Sequence, residues 1–434
     1  MRIFPSHPTI GTVAHRSIYL LLATGCALAA WRSGCTAVAD SSARSSTPKG
    51  LRRAISLFPD NASYYWRLAQ HEDVSSVERR QAVDQALALN PRLAAAWIEQ
   101  GLAAEAAGDL ERAELELHTA QRIDRTWLPA WTLTNFYFRS NRWEYFWKWA
   151  RYTAEIPYAD VNPVFHLSWR ASEDAALILE RAITSRRDVR LRYLRFLTGQ
   201  KRLEAADTVA LELSVAPQQE EIELLMEVCD RFLEAGRAEA ALRVWNGLAE
   251  RGLIHHAPLA AGSLTNGDLA HEPASHGFDW RVTGAAGVSF YFRGPPHGWS
   301  IALSGKQPEG VDLLQQFVPL LPRMRYRIRL DYGLENLTRK SGLSWSVLPA
   351  IGTAPLLDEA PLDPPPVFAS ADAGLARLVL RYRRPAGETR AEGALVLRRV
   401  ALEVAREVGH RFLRSRLSMR PTRSMYGVMS GGQN

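Results

Sequence analysis

Trp97-Ile-Glu-Gln-Gly-Leu-Ala-Ala-Glu-Ala-Ala-Gly-Asp-Leu-Glu-Arg-Ala-Glu-Leu-Glu-Leu-His-Thr-Ala120, with Trp131 beyond it, is the stretch that decides the first half of the chain. Apolar and small residues recur in it at three- and four-residue spacing, the helical period, without strand-like alternation. Gly108-Asp109 interrupts the pattern once and reads as the turn between two helices. Gly101, Ala104 and Ala113 are small where the two helices would cross, which sets how closely they approach. Trp97 and Trp131 are 34 residues apart. A period of that length marks a stacked array of one supersecondary unit.

The pattern extends outward in both directions. One period earlier stand Tyr65, Leu68 and Ala69, closed by Asn90-Pro91, and before them Ala54, Ile55 and Leu57, closed by Phe58-Pro59. The unit opened by Trp131 continues through Phe138 and Trp147. It fades at 156–190, where Pro157 and Pro163 interrupt, and returns in Lys201-Arg-Leu-Glu-Ala-Ala206 and Gly236-Arg-Ala-Glu-Ala-Ala241, 35 residues apart. These positions resemble the tetratricopeptide repeat (TPR) over residues 51–254, with five to six helical hairpins. The resemblance implies a protein-binding scaffold, because stacked hairpins form an extended groove.

Asn141-Arg-Trp-Glu-Tyr-Phe-Trp-Lys-Trp-Ala-Arg-Tyr152 is aromatic on two helix faces. Trp143, Phe146, Trp147 and Ala150 form one stripe, and Tyr145, Trp149 and Tyr152 the other. Either both stripes pack against neighbouring hairpins, or the second presents anchors to a protein partner.

The N-terminus carries Arg2 and Arg16 and then an apolar run, Ser17 to Trp31. As a helix that run reaches about 22 Å, short for a bilayer span and suited to a signal segment. Ala37-Val38-Ala39 supplies a small-x-small cleavage signal before Asp40. Residues 1–39 are therefore expected to be a signal peptide or an uncleaved signal-anchor, and the Ser-rich residues 40–50 a linker. Ala23-Thr24-Gly25-Cys26 loosely resembles a lipoprotein box. Three cysteines, Cys26, Cys35 and Cys229, make neither a disulfide framework nor a zinc spacing.

After Gly252 the period changes to two. Val288, Phe290 and Phe292; Ile301 and Leu303; Met324, Tyr326, Ile328, Leu330 and Tyr332; Leu343, Trp345 and Val347; Leu378, Leu380 and Tyr382; and Val400, Leu402 and Val404 read as the inward faces of short strands. Residues 255–405 are thus expected to form a β-sandwich, and 406–434, rich in Arg, a disordered basic tail. Leu264-Thr-Asn-Gly-Asp-Leu269, Gly277-Phe-Asp-Trp280, Gln315-Gln-Phe-Val318 and Tyr326-Arg-Ile-Arg-Leu-Asp-Tyr332 follow the order of jelly rolls of the carbohydrate-binding-module type, which this domain resembles. The resemblance implies sugar binding on aromatic faces. Trp280, Trp299 and Tyr291 are the candidate platforms, with core packing as the alternative, and Trp345 is expected in the core. The second acid of the opening motif is missing, which leaves Asp268 without the partner a calcium site would use.

Arg325, Arg327, Arg329, Arg377 and Arg381 lie on the polar faces of their strands and would make one basic surface if those strands were neighbours. His255, His256, His271 and His276 match no metal spacing and read as linker histidines. The chain has 53 Lys and Arg against 46 Asp and Glu, a net charge of +7, which favours acidic partners. No HExxH, GxSxG or dinucleotide fingerprint occurs, so no catalytic residue, metal or cofactor is expected. The fold class expected is α+β multidomain, a TPR-like α-solenoid followed by an antiparallel β-sandwich. Its expected role is a non-catalytic exported scaffold binding a protein and also a glycan or acidic polysaccharide, in a bacterial envelope or exopolysaccharide system. It would face the periplasm, anchored in the inner membrane through its N-terminal segment or secreted after cleavage of that segment, and bind no nucleic acid. The alternatives are an assembly factor with a purely structural sandwich, or a glycan-acting enzyme.

Overall fold

The computed structural model of the chain describes residues 10–158, 160–372 and 374–405; the expected basic tail, 406–434, lies outside the described residues. The chain divides between Leu213 and Ser214 into two compact units.

The first unit is helical. It contains α1 (Ile10–Arg44), α2 (Pro48–Leu57), α3 (Ala62–Ala69), α4 (Ser76–Leu89), α5 (Ala94–Ala106), α6 (Leu110–Ile123), α7 (Trp127–Arg139) and α8 (Trp143–Glu155). Beyond them come α9 (Asn162–Ala171), α10 (Ala175–Arg181), α11 (Arg187–Gly199) and α12 (Leu203–Ser214). α1 and α2, α3 and α4, α5 and α6, and α7 and α8 pack as successive hairpins. Short polar side chains start several of these helices by accepting orphan backbone N–H groups. Thr47 accepts from Gly50, Ser75 from Glu78 and Asp109 from Arg112. The turn at Gly108-Asp109 requires a positive φ of 83° at Gly108, which glycine adopts without strain.

The small residues stand where the sequence pattern places them. Ala96, Ala104, Ala113, Leu117 and Ala120 are buried between α5 and α6. A Cβ on Gly101 would come within 2.7 Å of the Leu117 side chain and 3.2 Å of the Ala113 carbonyl oxygen.

The Ser-rich stretch 40–50 is not a linker. α1 continues through it to Arg44, and α2 starts at Pro48. The hydroxyls do not break the helix because they bond its own carbonyls: Thr36 donates to Arg32 and Ser42 to Val38, both at 2.9 Å. Ala39 and Ala43 are buried with Leu51, Ala54, Tyr64 and Leu68. Tyr64 donates to the Asp40 carboxylate, and Arg67 donates to the Ala43 carbonyl at 2.6 Å. By contrast, Ile18, Leu20, Leu21, Leu22, Leu28 and Trp31 are exposed. α1 is long and apolar enough near the N-terminus to cross a membrane.

The second unit starts with a 3-10 turn (Gln219–Glu221) and the hairpin of α13 (Ile222–Glu234) and α14 (Ala238–Glu250). An antiparallel β-sandwich of two five-stranded sheets follows. The strands are β1 (Arg281–Val282), β2 (Val288–Gly294), β3 (Gly298–Ser304), β4 (Gly310–Pro319), β5 (Arg325–Glu335), β6 (Leu343–Pro349), β7 (Leu357–Pro361), β8 (Val367–Ala369), β9 (Leu375–Arg383) and β10 (Glu392–Val404). One sheet has the order β1-β4-β9-β6-β7 and the other β2-β3-β10-β5-β8. Tyr326, Ile328, Trp345, Leu378, Leu380 and Tyr382 fill the space between them, in keeping with the period-two pattern.

The last helical hairpin is bound into this unit. Asp230 of α13 accepts from Arg281 at 2.6 Å and from the Gly277 backbone N–H at 2.7 Å. Asn246 of α14 exchanges two hydrogen bonds with the Leu259 backbone, at 2.7 and 3.0 Å. Trp245 leaves no room for a Cβ at Gly277.

The crossing at Gly101 gives a direct test. Gly101→Val is expected to cost about 1–3 kcal/mol by overpacking. Leu117→Ala alone is expected to cost about 2–5 kcal/mol as a cavity. The double variant should be more stable than the sum of the two losses predicts, because each change relieves the other. Urea unfolding of the four proteins measures this. Simple additivity would show that Gly101 and Leu117 do not share the crossing.

Candidate binding grooves on the helical array

α8 carries the aromatic run, and its two stripes behave differently. Phe146, Trp147 and Ala150 are buried, as a solenoid interior requires, while Trp143 at the helix start stays exposed. In the second stripe Tyr145 is 47% exposed, Tyr152 is half-buried and Trp149 is 9% exposed. Trp149 is therefore not a projecting anchor. Its ring packs 5.5 Å from His118 and edge-on to Tyr152 at 5.4 Å, and forms part of a groove wall.

Two grooves flank α8. One, about 360 Å³, lies between the end of α6 and α8 and is lined by Gln121, Arg122, Arg125, Lys148, Trp149 and Tyr152. The other, about 430 Å³, is lined by Glu144, Tyr145, Trp147, Lys148, Arg151 and Arg181. Lys148 belongs to both. Arg181 pairs with Glu144 at 3.3 Å. Among the described residues no carboxylate pairs with Arg122, Arg125, Lys148 or Arg151; Arg122 donates to the Thr119 hydroxyl at 2.8 Å. The three aromatic residues singled out in the sequence thus all line grooves rich in cations without acid partners. Those cations went unnoticed in the sequence, although they alternate with the aromatic residues in Lys148-Trp149-Ala150-Arg151-Tyr152 and recur at the end of α6.

A polar network stiffens this face. Tyr137 donates to Glu114 at 2.7 Å, and Arg142 donates to the other oxygen of that carboxylate at 2.6 Å. Since the single Tyr137 hydroxyl proton goes to Glu114, the 2.8 Å contact with His118 requires His118 to donate from Nε2. The Arg142 guanidinium lies 4.7 Å from the centre of the Tyr145 ring, which also stacks on Tyr137 at 5.2 Å. Tyr145 is thereby held in place from two sides. Burial raises the Glu114 pKa, but the hydrogen bonds from Arg142 and Tyr137 outweigh it and hold the carboxyl below its usual range. Burial lowers the His118 pKa. Glu114 opposes the shift, and the positive charges of Arg122, Lys148 and Arg142 reinforce it.

The residues expected to bind sugar do not gather on one surface. Trp280 and Trp299 are fully buried, 6.1 Å apart and edge-to-face, within the sandwich core. Their indole N–H groups donate inward, Trp280 to the Asn266 carbonyl at 3.3 Å and Trp299 to the His271 carbonyl at 3.2 Å. Neither can stack on a sugar ring, because no face is open; Trp345 is buried as expected. Tyr291 alone of the three candidates is exposed, on β2, beside the partly exposed Phe292. The Asn-Gly opening motif is also structural. The Asn266 side chain bonds both the N–H and the carbonyl of His271, and Gly267 accepts from Val400 at 2.7 Å with no room for a Cβ.

The five strand arginines do not form one surface. Arg325, Arg327 and Arg329 lie on β5 in one sheet, and Arg377 and Arg381 on β9 in the other. Arg329 pairs with Glu403 at 2.8 Å and Arg381 with Asp312 at 2.6 Å, across neighbouring strands. Strand polarity could be read locally, but sheet membership depends on long-range pairing.

The four histidines are not linker residues. His256 stacks on Trp245 and lies 3.4 Å from the buried Asp279, and His276 contacts Asp230 at 2.8 Å. His271 stands 6.0 Å from His255 and 5.8 Å from His256, ring to ring. They edge an 840 Å³ cleft against α13 and α14 that also carries Glu220, Glu223, Glu227 and Glu272. Among the described residues no group of three His, Cys, Asp or Glu could hold a metal ion.

No protein-family model matches the chain, and no curated protein is detectably similar to it.

The Glu114 network predicts how the helical unit responds to acid. The His118 pKa lies below its unfolded value, so the unfolded chain takes up that proton first, and stability starts to fall as pH drops below about 6.5. The Glu114 pKa is also depressed. Its contribution is complete above about 4.3 and is lost as pH falls through the folded value. Glu114→Gln should be less stable than the parent at pH 7 and show a shallower decline below about pH 4.3. Parallel stability–pH curves for the two proteins would show that Glu114 carries no such linkage.

Proposed function

We propose that the protein is a non-catalytic scaffold of the bacterial cell envelope, which uses its helical array to hold a partner protein through an acidic segment. The observation that carries this reading is the pair of grooves sharing Lys148. Tyr145 and Tyr152 offer apolar contact there, while Arg122, Arg125, Lys148 and Arg151 have no carboxylate partner among the described residues. Aromatic rings beside cations suit a segment that mixes carboxylates with apolar side chains. The spacing of Trp97 and Trp131 and the small residues at the helix crossing support a TPR-type array, whose stacked hairpins are suited to extended peptides. An apolar N-terminal helix supports placement at the envelope.

The sandwich has a secondary role in this reading. The exposed Tyr291 and Phe292 on β2 are the feature that favours a glycan contact, with Tyr291 as the stacking face.

Binding of the full chain to an array of acidic, neutral and basic peptides, at low and moderate salt, tests the first reading. Acidic peptides with aromatic or aliphatic residues should be selected, and salt should weaken them. Tyr152→Ala and Lys148→Glu should each reduce their affinity on the order of 10-fold or more. Equal binding to all peptide classes, or unchanged affinity in both variants, would rule the grooves out.

A glycan array probed with the parent and Tyr291→Ala tests the second reading. Retention of any sugar signal in the variant would remove Tyr291 from the site, and absence of signal in the parent would leave the sandwich structural.

A further inference from the structure

We infer that the N-terminal segment is not cut after Ala39 but is retained as a membrane anchor, so that a single helix serves as bilayer span and as the first packed helix of the array. The inference rests on the envelope placement proposed above.

The cleavage signal Ala37-Val38-Ala39 lies inside α1, with at least five further helical residues after it. Nothing between Trp31 and Arg44 would break the helix: the stretch has no proline, and its one glycine is Gly34. A signal peptidase needs an extended, accessible segment after the apolar run, and here that segment is helical.

The residues around the cut are also used. Ala39 is fully buried with Ala54, Tyr64 and Leu68. On its far side Asp40 accepts from Tyr64, and the Ala43 carbonyl accepts from Arg67. A Cβ at Gly50 would meet the Ser42 carbonyl oxygen at 2.5 Å, so α1 and α2 are in close contact there. Cutting before Asp40 would leave residues 40–44, little more than one turn, to hold this position. An isolated turn has no helical stability of its own.

The other half of α1 has the opposite character. Tyr19, Leu20, Leu21, Leu22, Leu28 and Trp31 are exposed, and the candidate span has no buried residue in its most apolar window. This part is apolar all round, without the polar face of a helix that docks on a soluble partner. Arg16 and Arg32 bracket it, about 24 Å apart at 1.5 Å per residue. The helix continues past both positions, from Ile10 to Arg44, so its length does not limit a span of about 30 Å. Arg32 already belongs to the array: it pairs with Asp60 at 3.4 Å, and its guanidinium lies 5.1 Å from the centre of the Phe58 ring. Tyr19 and Trp31 stand near the two ends, where amphipathic rings favour the interface. The occupant that fits this surface is the hydrocarbon core of a bilayer.

The test is to express the full chain in a Gram-negative host, wash the membranes with carbonate, and measure the intact mass of the protein. Protease added to spheroplasts reports on which side the array lies. The expected result is a chain retaining residues 1–39 in the washed membrane, with its array digested from outside. A mature chain starting at Asp40 would overturn the inference and leave the envelope reading standing. A full-length chain in the soluble fraction, protected from external protease, would overturn both.

Discussion

Two helices can share a core only as closely as the bulkiest group at their crossing allows. In the first unit that limit is set by single atoms: Gly101 has no room for a Cβ against Leu117 and Ala113, and Gly50 none against the Ser42 carbonyl. Close approach at these points brings the flanking side chains within van der Waals reach of each other, and dispersion and burial follow from that proximity. The rings of α8 divide accordingly: Phe146 packs on Phe138 of α7 at 5.6 Å, Trp149 packs on His118 of α6 at 5.5 Å, and Tyr145 stays exposed beneath the Arg142 guanidinium.

The surface that results is more ordered than a strip of exposed aromatics would be. Arg142 satisfies Glu114 and caps Tyr145, Tyr137 links Glu114 to His118, and His118 packs on Trp149. Each group in the chain restrains the next, so Tyr145 and Trp149, which line the two grooves, lose little freedom on meeting a ligand. Rigid aromatic contact surface of this kind lowers the entropic cost of binding.

Much of the architecture was legible from short-range pattern. The 34-residue spacing of Trp97 and Trp131, the Gly108-Asp109 turn, and the alternation of Tyr326 and Ile328 with arginines each record a local requirement, and the elements follow them. The misreadings share one physical cause. Whether Trp280 lies in the core or on a face, whether β5 and β9 are neighbours, and whether Ser42 belongs to a linker or a packed helix all depend on partners far away in sequence. Asp230 meets Arg281 and His276 across some fifty residues. No periodicity registers such a contact. The aromatic half of the grooves was visible because α8 is a single run, but the full set of cations was not, since it is assembled from α6, α8 and α10.

The bonds of Asp230 and Asn246 also determine how this chain can be dissected. The change from helical to strand-like sequence near residue 254 looks like a natural place to begin an isolated sandwich. A fragment starting there would lack α13 and α14. The Arg281 guanidinium, mostly buried, would lose its carboxylate, the Gly277 N–H its acceptor, and the Leu259 backbone both bonds to Asn246. Stranded polar groups and the bared seat of Trp245 are conditions under which a fragment expressed alone aggregates. The smallest autonomous piece of the C-terminal half therefore begins near Ser214, where the contacts themselves divide, and it includes a helical hairpin that its sequence pattern assigns to the array.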